Sequence, residues 1–143
     1  MTIVVGYLAT REGRAALDAA IAEAGRRSTR LLVVQSAKPA PPSEQATADA
    51  ARQLEDLRRE LDATGVPYDV RESSEGRDVA EDLIGAAEES DGTLIVIGLR
   101  RRSPVGKLIL GVNAQRILLD APCPVLAVKP GGNDDAEPTV RSS

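Results

Sequence analysis

Five short apolar runs, each separated from the next by a stretch of helical periodicity, constrain this chain more than any other feature. The first, Thr2-Ile3-Val4-Val5-Gly6, is β-branched and continuously apolar. That is the pattern of a strand covered on both faces in a parallel sheet. Leu31 to Val34 repeats it, and Thr93 to Ile97 is its strongest example. Val66 to Arg71 is weaker and contains Pro67, which suits a sheet edge. Pro124 to Val128 is the last run. Between the runs, Leu17, Ala20, Ile21 and Ala24 predict a helix over residues 12–27, capped by Thr10. Ala50, Leu54, Leu57 and Leu61 define a second apolar stripe, opened by Ser43 and ended by Gly65. Val79, Leu83, Ile84 and Ala87 place a third helix over Asp78 to Glu89, followed by an Asp91-Gly92 turn. A short helix is predicted over Asn113 to Leu119. The β-α-β-α-β-α-β-α-β order predicts a single α/β domain with an open, mostly parallel sheet and helices on both faces. Ligands of such sheets bind beyond the carboxyl ends of the strands, at the point where strand order reverses. The ends of strands one and four are therefore the places to search.

A chain of 143 residues can bury one substantial core. Its hydrophobic share of 42% and charged share of 28% are those of a soluble globular protein. With no Trp or Phe and two Tyr, Ala, Val, Leu and Ile must fill that core. The net charge of −4 argues against a nucleic-acid-binding surface. Arg100, Arg101, Arg102 and Lys107 nevertheless form a local basic cluster. Such a cluster in an acidic protein suits a small anionic ligand better than a long polyanion. There is no His and a single cysteine, Cys123. No intrachain disulfide can form, no metal site is recognisable, and the commonest general base is missing. No apolar stretch approaches the roughly 20 residues of a membrane helix, and the N-terminus enters a strand without a leader pattern. No membrane association and a cytoplasmic location are expected. Residues 37–43, with three prolines, read as a loop. Residues 130–143 carry little to bury and are expected to be a disordered tail, leaving residues 1–129 as the domain.

The segment from Gly98 to Asn113 holds the parts of an anion site. Gly98 allows a sharp turn at the end of strand four, and Gly111 allows close approach or a positive φ. The helix beginning near Asn113 presents free N–H groups and a positive dipole end. Arg100 and Arg101 can add charge-assisted bonds to phosphate oxygens. A plainer reading fits the same residues: a strand end, a glycine for packing, and a solvated charge run. Cys123, between two prolines, reads as a small buried side chain rather than a redox thiol. No catalytic set is found.

The stretch Val96 to Val128 resembles the C-terminal signature of the universal stress protein family. That signature places Gly, two residues, Gly, nine residues, then Gly and Ser or Thr, followed by a short helix and Ala-Pro-Cys-Pro-Val. This chain carries Gly98, Gly111 and Ala121-Pro122-Cys123-Pro124-Val125. Ile3-Val4-Val5-Gly6 and Gly13-Arg14-Ala15-Ala16-Leu17 also resemble the family, so the resemblance runs over residues 2–129. Arg101 stands at the second signature glycine and Val112 at the Ser/Thr position, with Asn113 next. Leu8 stands where ATP-binding members carry an Asp near the adenosine.

The resemblance implies strand order 3-2-1-4-5 and a stress-associated regulatory protein binding ATP or another adenine nucleotide at the strand one/strand four switch point. The implied binding residues are Gly98, Arg100, Arg101, Ser103, Gly111, Val112 and Asn113, with Tyr7 and Thr10 from the end of strand one. It further implies a homodimer paired through the last strand, which is uncharged from Pro124 to Val128. The alternative is a dimeric interaction protein of the same fold that binds no nucleotide. A weak ATPase is a third reading, for which no phosphoryl-transfer carboxylate or metal cluster is recognisable.

Overall fold

The computed structural model of the chain describes residues 1–7, 10–35, 43–72, 79–99 and 112–130. Nine elements alternate along it: β1 (Thr2–Tyr7), α1 (Arg11–Arg27), β2 (Arg30–Gln35), α2 (Glu44–Thr64), β3 (Tyr68–Glu72), α3 (Val79–Glu89), β4 (Gly92–Gly98), α4 (Val112–Asp120) and β5 (Val125–Val128). The strands form one sheet in the order β3-β2-β1-β4-β5, and every neighbouring pair is parallel. The expected fold class and strand order are those observed.

Strand alternation divides the core in two. Ile3 and Val5 of β1, Leu31 and Val33 of β2, and Leu94 and Val96 of β4 face α1 and α2, meeting Ala16, Leu17, Ala20, Leu57 and Leu61. Val4, Leu32, Val34, Ile95 and Ile97 point the other way, onto Ala80, Leu83, Ala86 and Ala87 of α3 and Ile117 of α4. Successive side chains of a strand alternate faces, so only a continuous apolar run can serve both layers. Each fully buried Val, Leu or Ile contributes roughly 1.5–3 kcal/mol, and Ile3, Val4, Val5, Ile95 and Val96 are all 0% exposed. The many alanines of α1 and α3 let the helix backbones sit close to the sheet.

Local signals set the element ends. Thr10, in extended conformation, accepts a hydrogen bond from the Gly13 N–H at 3.1 Å and caps α1. Ser28 closes α1 in the left-handed region at φ 53°, and Gly65 follows α2 at φ +78°. β3 is an edge strand, as Pro67 predicts. The Pro67 carbonyl accepts from the Leu31 N–H at 2.9 Å.

Three readings from the sequence are corrected. Ala50, expected on the buried stripe of α2, is exposed, and Leu54 is only half-buried; among the described side chains of α2, Leu57 and Leu61 are the buried ones. Pro124 precedes β5 rather than beginning it. Gly98 does not stop β4 but belongs to it, pairing with Val128. The expected tail begins at Pro130, and its residues 131–143 lie outside the described residues.

Candidate functional site at the carboxyl edge of the sheet

Because every strand is parallel, all five carboxyl ends lie on one edge. α1 and α4 each return the chain from that edge, so both present their N-termini there, the positive ends of their dipoles. β1 is the strand at which the connections diverge: β2 lies on one side of it and β4 on the other. The edge beyond β1 and β4 is the switch point where such sheets take ligands.

A cavity of about 660 Å³ opens at the end of β1 against the first two turns of α1, lined by Tyr7, Thr10, Arg11, Arg14, Ala15, Asp18 and Pro130. That volume lies within the usual range for small-molecule sites, roughly 300–1,000 Å³. Tyr7 is half-buried and packs its ring on the core beneath α1. Thr10 gives an oxygen lone pair to the helix cap, which leaves its O–H able to donate. Arg11 is exposed at the first turn of α1. Arg14 pairs bidentately with Glu60 of α2 and reaches Asp18 at 3.3 Å. Its guanidinium is therefore held in place by two carboxylates, and Arg11 supplies the cavity's second positive charge.

Gly98 lies at the same edge, but its glycine has a reason the sequence did not disclose. A Cβ at position 98 would stand 2.1 Å from the Glu12 carbonyl oxygen and 2.6 Å from its carbon. Neither is the tip of a flexible side chain. Gly98 is needed so that the end of β4 can pass against the first turn of α1, and it lies outside the positive-φ region. Leu99 continues the sheet, donating its N–H to the Val128 carbonyl at 2.8 Å. Val112 opens α4, one residue earlier than expected, and Asn113 is exposed on its first turn. Arg100, Arg101, Ser103 and Gly111 lie outside the described residues, as does Leu8.

Of the expected site residues, Tyr7 and Thr10 share the cavity. Arg11 and Arg14 were not singled out from the sequence, because arginines at a helix start read as ordinary surface. Gln35 was missed too. It ends β2 directly beside Tyr7, and among the described residues its buried Oε1 has no hydrogen-bond donor. Cys123 is half-buried against the α3/α4 side of the core, and burial pushes its thiol pKa up. A raised pKa disfavours the reactive thiolate. Among the described residues no group of three acidic, His or Cys side chains is placed to hold a metal ion, and no helix is long and apolar enough to cross a membrane.

The sequence pattern of the universal stress protein family matches residues 1–129. The chain belongs to that family. A universal stress protein from Mycolicibacterium smegmatis is 46% identical over 134 residues, covering 91% of this chain and 98% of the relative. Among solved universal stress proteins, one from Archaeoglobus fulgidus superposes with a TM-score of 0.71 at 29% identity, covering 89% of this chain and 97% of the other. The structure of the universal stress protein from Archaeoglobus fulgidus in complex with dAMP has a TM-score of 0.67 at 24% identity, covering 89% and 96% of the two chains. As in those neighbours, the family's fold here brings the carboxyl ends of β1 and β4 side by side.

Proposed function

We propose that this universal stress protein is a regulatory module that binds an adenine nucleotide or a similar phosphate-bearing anion at the β1/β4 switch point. The observation that carries the reading is the cavity at the end of β1, where Tyr7 and Thr10 meet Arg11 and Arg14 beside the N-terminus of α1. An aromatic ring, a hydroxyl donor and the Arg11 guanidinium suit a ligand with a planar base and an anionic group, while Arg14 is held by Glu60 and Asp18. In this reading the anionic group also takes contacts from Gly98, Arg100, Arg101, Ser103, Gly111, Val112 and Asn113, which join β4 to α4 in sequence. The same fold in the Archaeoglobus fulgidus relative accommodates dAMP. The reading assigns the chain no catalytic residue.

The test is isothermal titration calorimetry with AMP, ADP, ATP and cyclic AMP, together with thermal unfolding. A ligand that binds only the folded state at 100 times its Kd should add about 2.7 kcal/mol of stability. Arg11→Ala should weaken binding several-fold, since it removes a cavity cation that pairs with no carboxylate among the described residues. Absence of binding heat for all four nucleotides defeats the reading.

A second reading, an interaction protein working as a homodimer, is favoured by a different observation. β5 is an edge strand whose four residues are all half-exposed. Nearby on α4, Leu118 and Leu119 are 44% and 82% exposed. An uncharged open edge beside exposed leucines suits pairing with a second copy across a two-fold axis. The two readings are compatible, and the calorimetry separates them.

A further inference from the structure

We propose that the acidic segment at residues 134–137 of this chain's own tail docks in the cavity at the end of β1 and competes there with an anionic ligand. The inference rests on the nucleotide reading above and adds the regulation of that site. Pro130, two residues beyond β5, is itself part of the cavity wall. The chain therefore leaves the sheet at the candidate site, and residues 131–143, outside the described residues, continue from that point. Gly131 and Gly132 come first, with no side chain to restrict the direction taken. Asn133-Asp134-Asp135-Ala136-Glu137 follows, so that Asp134 is four residues from Pro130 and Glu137 seven. An extended chain spans at most roughly 3.5 Å per residue, so these carboxylates reach about 14 and 25 Å, against about 9 Å for the edge of a cube of 660 Å³.

The charges are complementary. Arg11 lines the cavity and pairs with no carboxylate among the described residues. Arg14 is held by Glu60 and Asp18, and Asp18 is the carboxylate on the cavity wall. The lining thus sets two arginines against one aspartate, a net charge of +1. Residues 131–143 set Asp134, Asp135 and Glu137 against Arg141, a side-chain charge of −2. A guanidinium takes a carboxylate through the same charge-assisted hydrogen bonds that it gives a phosphate. Tethering strengthens the contact further. A short link holds the segment near its site at an effective concentration in the millimolar range. A contact too weak to join separate molecules is therefore populated within one chain. A nucleotide has to displace the segment before it binds. Its apparent dissociation constant is the intrinsic one divided by the fraction of molecules whose cavity is open.

The experiment compares the full chain with a full-length variant carrying Asp134→Asn, Asp135→Asn and Glu137→Gln together. Amide NMR spectra are recorded first, without ligand. Neutralising the tail should shift the amides of Tyr7, Thr10 and Asp18. The shift should shrink when Arg11→Ala is added to both chains, because the segment's cation has gone. It should also vanish in 1 M salt, where the screening length is about 3 Å. Calorimetry with AMP then reads the competition. The neutralised chain should bind AMP about three- to tenfold more tightly, the ratio for a segment that fills the cavity in roughly two-thirds to nine-tenths of the molecules. Cavity amides that do not move overturn the proposal. Equal AMP affinity in the two chains overturns the competition and leaves the nucleotide site standing. A shift that persists undiminished in the Arg11→Ala pair puts the segment's partner elsewhere and overturns the assignment to this cavity. If AMP binds neither chain while the amides shift in the Arg11-dependent way, the nucleotide reading fails and the docked segment stands.

Discussion

At the scale of single residues, the most demanding position is Gly98, where any Cβ would collide with the Glu12 carbonyl. Gly98→Ala forces the end of β4 away from the first turn of α1. It should cost roughly 3 kcal/mol, in the range of overpacked interiors, read as a lower urea midpoint with an unchanged slope. Gly98 is accordingly a poor probe of ligand binding, since its loss damages the scaffold first. Thr10 gives a milder test. Removing its cap on the Gly13 N–H in Thr10→Ala should cost about 1 kcal/mol. The reason for Gly98 was illegible in the sequence because it is a contact between residues far apart in the chain. Position 98 could be recognised as a glycine at a strand end, and nothing local says which backbone passes it. Gln35 was illegible for a related reason: a glutamine after four apolar residues reads as the return to solvent, and only the folded register puts it beside Tyr7.

At the scale of elements, sequence reading succeeded where one element determines its own pattern. The β-branched runs of β1 and β4 demanded burial on both faces, and both became inner strands. Thr10 and Gly65 marked helix ends through their own backbone chemistry. It failed where the answer depends on the rest of the fold, as with Ala50 on α2: periodicity identifies a helix face, but not which of its residues the core reaches. The far end of α1 yields a pH prediction. Glu23 is half-buried and pairs with Arg26 at 2.7 Å and Arg27 at 3.2 Å. The hydrogen bond from Arg26 leads in holding its carboxyl pKa below the usual glutamate value, against an opposing push from burial. A carboxyl with a depressed folded-state pKa adds stability above its unfolded pKa and loses it as pH falls through the folded one. Glu23→Gln should therefore lower Tm at pH 7 by about 1–2 °C, consistent with a weak surface pair. The difference should vanish once the pH falls below the glutamate range, and melting curves across pH 2–7 check it.

At the scale of the whole molecule, the sheet has two unlike edges. β3 carries Asp69, Arg71 and Glu72, whereas β5 reads Val-Leu-Ala-Val. The Pro124 and Val128 carbonyls accept from Ile95 of β4 and from Leu99 just beyond it at 3.0 and 2.8 Å, so by alternation the amides of Val125 and Ala127 face outward. Ala127→Pro removes an outward donor without touching the pairing to β4. If two copies join along β5, sedimentation equilibrium should show the parent as a dimer and this variant as a monomer near 15.1 kDa. A parent that sediments as a monomer at micromolar concentration excludes the dimer. The strand order has a further consequence, in time rather than space. β1 can pair with β2 as soon as Gln35 has been made, but its other neighbour ends only at Gly98. At roughly 5–20 residues per second of synthesis, the growing chain holds its central strand with one side unpaired for on the order of 3–13 s. Closing so long a loop also slows folding after release. The nascent protein is thus most open to aggregation, and most in need of a chaperone, through the strand that is best hidden once folding is complete.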